Sequence, residues 1–61
     1  MDNLDKLNHL YNKGFKCIRY EDGEEGEFRA YFKNFETEQI DSIKSYNEEE
    51  ITEMKNFIDS R

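Results

Sequence analysis

The sequence predicts an α+β fold: one helix, a two-stranded antiparallel hairpin, then two further helices laid on one face of the sheet. Three observations carry this. Apolar residues recur at helical spacing near both ends of the chain, at Leu4, Leu7, Leu10 and Tyr11 and again at Ile51, Met54, Phe57 and Ile58. Between them, residues 14–33 read GFKCIRYEDGEEGEFRAYFK, two alternating runs around an acidic, glycine-bearing connection. Finally, five Phe and four Tyr are placed with period in a chain that is 39% charged, and aromatic residues are what disordered chains lack.

Asp2 or Asn3 caps the first helix, and its stripe is Leu4, Leu7, Leu10 and Tyr11. Lys13 lies near the carboxyl end, where the dipole favours a cation, and Gly14 supplies the left-handed residue that stops the helix. Phe15 then packs back on Leu10. Residues 15–21 alternate as a strand, with Lys16, Ile18 and Tyr20 on one side and Phe15, Cys17 and Arg19 on the other. Residues 28–33 do the same, with Phe28, Ala30 and Phe32 opposed to Arg29, Tyr31 and Lys33. Pairing Glu21 with Glu27 brings Tyr20 opposite Phe28 and Ile18 near Ala30, leaving residues 22–26 as a loop in which Gly23 and Gly26 take positive φ.

Thr37 caps a short helix with Ile40, Ile43 and Lys44 inward, and a break follows at Tyr46 and Asn47. The last helix has the clearest start signal. Asn47 is its cap, Glu50 completes a capping box, Tyr46 staples to Ile51, and Glu48, Glu49 and Glu50 fall where the dipole favours negative charge. No Pro, repeat or linker divides the chain, so residues 1–61 form one domain.

A chain of 61 residues buries a modest share of its surface and is expected to be marginally stable. Its single cysteine excludes an internal disulfide, and with His9 as the one histidine it cannot build a cysteine-based zinc site. No metal or cofactor is expected, which leaves self-association as the staple. A two-stranded ribbon also has two open edges, and the side of it carrying Phe15, Cys17, Arg19, Arg29, Tyr31 and Lys33 is neither a clean core nor a clean solvent surface. That mixed face is therefore the expected meeting place with a second chain, covering or extending the sheet, and a homodimer is expected.

Chemistry by the chain itself is not expected. Cys17 and His9 lie on different elements with nothing to bring them together, and Cys is ordinarily a small buried residue. The acidic stretch at residues 21–27 lacks the ligand spacing of a calcium loop.

Charge is more informative. With 15 acidic and 9 basic residues the net charge is −6, which repels phosphate backbones and anionic lipid and suits a basic protein partner. Direct nucleic-acid or membrane binding is not expected. There is no long apolar run, and Met1, Asp2, Asn3, Leu4 and Asp5 lack the basic and apolar segments of a signal peptide, so a cytoplasmic location is expected. The negative charge concentrates in Glu21, Asp22, Glu24, Glu25 and Glu27 and again around the C-terminal helices. In size and charge along its whole length, though by no motif, the chain resembles the small acidic proteins that phages and other mobile elements encode to block host enzymes or defence systems. The resemblance implies a non-enzymatic inhibitor or adaptor that covers a surface of a larger protein; from the charge pattern, the five carboxylates are expected to meet a basic surface, with Phe15, Tyr31 and Arg19 as anchors. The alternative is a small structural or regulatory subunit that docks through the stripe of Ile51, Met54, Phe57 and Ile58.

Overall fold

The computed structural model describes residues 3–60 and is α+β, with two helices on one face of a three-stranded antiparallel sheet. Helix α1 spans Asn3–Asn12, strand β1 Phe15–Asp22, β2 Phe28–Asn34, β3 Ile40–Ser45 and helix α2 Glu48–Asp59. The strands lie in chain order, β1-β2-β3, so β2 is central.

Helix α1 stops as its residues dictate. The N–H of Lys13 reaches the carbonyls of His9 and Leu10, that of Gly14 reaches Tyr11, and Gly14 has φ +96°, a backbone that a side chain would strain. Phe15 and Leu10 are then both buried in the same core. Of the expected caps of this helix, Asp2 lies outside the described residues, whereas Asn3 turns its side chain to the Lys44 carbonyl and the Glu50 carboxylate.

The third strand replaces the predicted short helix. Ile40 and Ile43 suit a helical stripe, but two apolar residues in a polar segment also suit a strand, and pairing with the second edge of β2 decides between them. Ile43 lies opposite Ala30 and is buried, while Ile40 lies opposite Lys33 on the other face. Asn34 makes the reversal possible. Its Oδ1 accepts the N–H groups of Glu36 and Thr37, and its Nδ2 donates to the Lys13 carbonyl. Thr37 is thus a turn residue, not a helix cap, and Glu38 carries the positive φ of 62° that the connection requires.

The hairpin register is shifted from the predicted one. Glu21 lies opposite Arg29 and Asp22 opposite Phe28, so the connection is residues 23–27 with a single 3-10 turn at Glu24–Gly26. Gly26 takes positive φ as expected, but Glu25 does so in place of Gly23. Between Cys17 and Arg19 the register slips by one, making Ile18 the extra residue of a β-bulge. Before the bulge Phe15 and Cys17 share a side with Asn34 and Phe32; after it Arg19 and Glu21 share the opposite side with Tyr31 and Arg29.

The core forms on the inner face. Phe28, Phe32, Leu7 and Met54 are fully buried, with Ala30, Ile43, Leu10, Phe15 and Ile51 beside them. Tyr11 closes one side, edge-on to Phe32 and Phe57 at ring separations of 6.3 and 5.1 Å. Tyr20 lies over Phe28 at its rim, whereas Ile18, predicted inside, is 48% exposed because the bulge turns it out.

Helix α2 begins at Asn47, whose side chain accepts the Glu50 N–H. The capping box closes indirectly: Ser45 Oγ donates to the Glu50 carboxylate at 2.7 Å and accepts the Asn47 N–H at 3.2 Å. Tyr46 is turned outward with its hydroxyl on Glu27, away from the predicted staple. Ile51 and Met54 are buried and Phe57 and Ile58 pack against the same core, so the stripe invoked for docking on another protein is used within this chain.

Candidate functional site

Two surfaces of opposite charge emerge, and the residues singled out in the sequence are distributed between them except for Phe15 and Cys17, which lie on the core side.

The first is an acidic ridge at the hairpin connection. Glu24 and Glu25 stand exposed on the 3-10 turn. A shallow cleft of about 430 Å³ separates this turn from the start of α2 and is lined by Asp22, Gly23, Gly26, Glu27, Glu48, Ile51, Thr52 and Lys55. The turn therefore faces Glu48 and Thr52 of α2 across this cleft, and Glu49 follows Glu48 in the exposed first turn of the helix. Lys55 reaches across to Asp22 at 3.2 Å and joins the two elements. Such an exposed pair contributes at most about 1 kcal/mol, so its effect is positional. Glu48 and Glu49 were legible as partners of the helix dipole and as part of a second acidic stretch, but nothing in the sequence places them next to the hairpin.

The five predicted carboxylates do not act as one group. Asp22, Glu24 and Glu25 belong to the ridge, but Glu21 and Glu27 turn to the outer face of the sheet. Glu21 accepts from the Tyr31 hydroxyl at 3.3 Å. Glu27 accepts from the Tyr46 hydroxyl at 2.8 Å and pairs with Arg29 Nε at 2.6 Å. The Tyr46 hydrogen bond, and after it that of Arg29, hold the Glu27 carboxyl below the ordinary carboxylate range.

The second surface is that outer face. Its rows are set by the register: Lys16 with Lys33 and Ile40, Arg19 with Tyr31 and Ser42, Glu21 with Arg29 and Lys44. Five cations, Lys16, Arg19, Arg29, Lys33 and Lys44, meet two carboxylates, Glu21 and Glu27, for a net +3. The remaining residues of a chain whose total is −6 therefore carry −9. Three of the cations lie over aromatic rings: Arg19 over Tyr31 at 4.6 Å, Lys33 over Phe35 at 5.3 Å and Lys44 over Tyr46 at 6.0 Å. A dent of about 310 Å³ between β2 and β3 is lined by Arg29, Tyr31, Ser42, Ile43 and Lys44.

The predicted mixed interface is accordingly divided. Arg19, Arg29, Tyr31 and Lys33 share the outer face. Phe15 and Cys17 do not, since the bulge places them on the core side, where Phe15 is buried and Cys17 packs against the core. Alternation counted through residue 18 cannot reveal this. Nor are the sheet edges bare. On β3 the carbonyls of Ser42 and Lys44 accept from Lys6 Nζ and Asn3 Nδ2, and on β1 the Cys17 N–H donates to the Tyr11 hydroxyl.

The Cys17 thiol donates to the Arg19 carbonyl, and burial pushes its pKa up, the reverse of what activates a nucleophile. His9 is exposed on α1. Among the described residues no three of His, Cys, Asp and Glu converge in a metal-binding group, and no helix is long and apolar enough to cross a membrane. Compared with models of protein families, with curated proteins and with solved structures, the chain finds no match.

Proposed function

We propose that this chain is a small, acidic, non-enzymatic inhibitor or adaptor that covers a basic surface of a larger protein, as the phage-encoded blockers of host enzymes and defence systems do. The observation behind this reading is the cleft that the hairpin turn shares with the start of α2, lined by Asp22 and Glu48, with exposed Glu24 and Glu25 on the turn and Glu49 next to Glu48 on the helix. Carboxylates gathered on a protrusion steer encounter with a cationic cleft and set specificity more than raw affinity. The net charge of −6 supports a basic protein partner over a phosphate backbone.

The test combines capture of the partner from the native cell with replacement of Glu24, Glu25, Glu48 and Glu49 by Gln. The expected result is slower association and a flatter salt dependence of binding. A partner bound equally well, with the same salt dependence, by the neutralised protein would overturn the electrostatic reading. The docking-helix alternative has no free stripe to support it, since Ile51, Met54, Phe57 and Ile58 line the chain's own core.

A further inference from the structure

The outer sheet face needs its own explanation, because a chain of net charge −6 has gathered five of its nine cations there. Their arrangement suits binding. Arg19, Lys33 and Lys44 lie over Tyr31, Phe35 and Tyr46, so less side-chain freedom is lost when a ligand meets them. Large apolar groups flank them, with Phe35, Ile40 and Tyr46 each at least 60% exposed. A cluster of cations rimmed by apolar surface calls for an occupant that brings carboxylates and some apolar area.

Base stacking fits this face poorly. The ring of Tyr31, at its centre, already has a face covered by Arg19, and its hydroxyl is engaged by Glu21. Among protein occupants, a second copy meeting face to face would set one face of net +3 against another. Pairing through the sheet edges would displace Lys6 and Asn3 from the carbonyls of β3, or Tyr11 from the Cys17 N–H of β1. What remains for a second copy is the contact of opposite signs, its acidic ridge on this basic face.

We propose that the outer sheet face is the docking surface for the acidic ridge of a second copy, so that the chain associates head to tail. The two surfaces are distinct patches, so the contact is heterologous and each added copy leaves one face and one ridge unoccupied. Both copies carry −6, but at physiological ionic strength repulsion beyond about 8 Å is screened and the local complementarity governs. The inference uses the same ridge as the proposed function without requiring its target. It adds one consequence: a basic target and a neighbouring copy compete for Glu24, Glu25, Glu48 and Glu49.

Complementary half-variants test it. One carries Lys16→Gln, Lys33→Gln and Lys44→Gln, which takes the face from net +3 to neutral and leaves the ridge intact; the other carries Glu24→Gln, Glu25→Gln, Glu48→Gln and Glu49→Gln, which neutralises the ridge and leaves the face intact. Circular dichroism and thermal melting establish that both fold. In sedimentation velocity, the unaltered chain is expected to gain mass with concentration, and its association to weaken on the order of tenfold between 0.1 and 1 M salt as the Debye length shrinks from about 10 to 3 Å. Each half-variant alone is expected to remain monomeric, and their mixture to give a 1:1 dimer that grows no further. A monomeric unaltered chain across the accessible concentrations, association of the face-neutralised variant alone, or a mixture without dimer would each overturn the proposal. So would tighter binding of a single-stranded oligonucleotide than of a second copy by the face. Because purified protein alone is used, these outcomes are independent of whether the ridge has a cellular target.

Discussion

The two faces of the sheet are built from the same strands in the same register, yet they do unrelated work. On β2 the inner residues Phe28, Ala30 and Phe32 are fully buried under the helices, while the outer residues Arg29, Tyr31 and Lys33 meet water. Period-two alternation makes this separation possible, since each residue can serve stability or surface chemistry without compromising its neighbour. In a chain of 61 residues, nearly all the hydrophobic stabilisation has to come from the inner face.

Substitutions on neighbouring residues of β2 should expose that division most sharply. Phe32→Ala removes a fully buried ring that Tyr11 meets edge-on, and should destabilise by about 3–5 kcal/mol, comparable with the whole stability of a small domain. Tyr31→Ala should cost no more than about 1 kcal/mol, through lost cross-strand and cation–π contacts. Urea denaturation of both variants checks this, and equal losses would break the distinction between the faces.

Asn34→Ala is next in size. It deletes the acceptor for Glu36 and Thr37 and the donor to Lys13, all in a buried position, and should destabilise by about 1–3 kcal/mol. Since this side chain organises the β2–β3 turn, amide exchange in β3 should accelerate more than in β1. Asn47→Ala removes the cap of α2 and should destabilise by about 1 kcal/mol, with thermal melting as the readout.

The smallest effect belongs to the outer face. Tyr46→Phe removes the hydroxyl on Glu27, so the Glu27 carboxyl should titrate closer to the ordinary range in an NMR pH series. The sign follows from linkage. A depressed carboxyl contributes stability that is fully present above its unfolded pKa and is lost as pH falls through its lower folded value, so the variant should match the unaltered chain more closely in acid than at neutral pH. A Glu27 titration unmoved by the substitution would assign the depression to Arg29 instead.

Much of the fold was legible because several local signals agreed. Gly14 and Phe15 ended α1 as read, Asn47 capped α2, and the apolar stripes of both helices and of β2 reached the core. The failures have specific causes. Residues 37–44 hold too few apolar residues to distinguish period 3.6 from period 2, and the unpaired edge of β2 settled the matter. Ile18 carries no bulge signature, so the faces of β1 were read as observed after it and inverted before it, which split the predicted interface. The ridge was half visible: Glu24 and Glu25 stood out as an acidic run, whereas Glu48 and Glu49 joined them only through chain reversal.

By itself the sequence determined the class of the fold, the ends of both helices, the inner side of β2 and the excess of negative charge, because each depends on residues within one turn or a few positions of one another. The tertiary structure alone decided the third strand, the bulge that sends Phe15 and Cys17 inward, and the sorting of charge into a −9 remainder and a +3 face. Those features depend on which backbone groups and side chains meet across the sheet. Pairing partners far apart in the chain are selected by the packing of the whole domain, which no local pattern encodes.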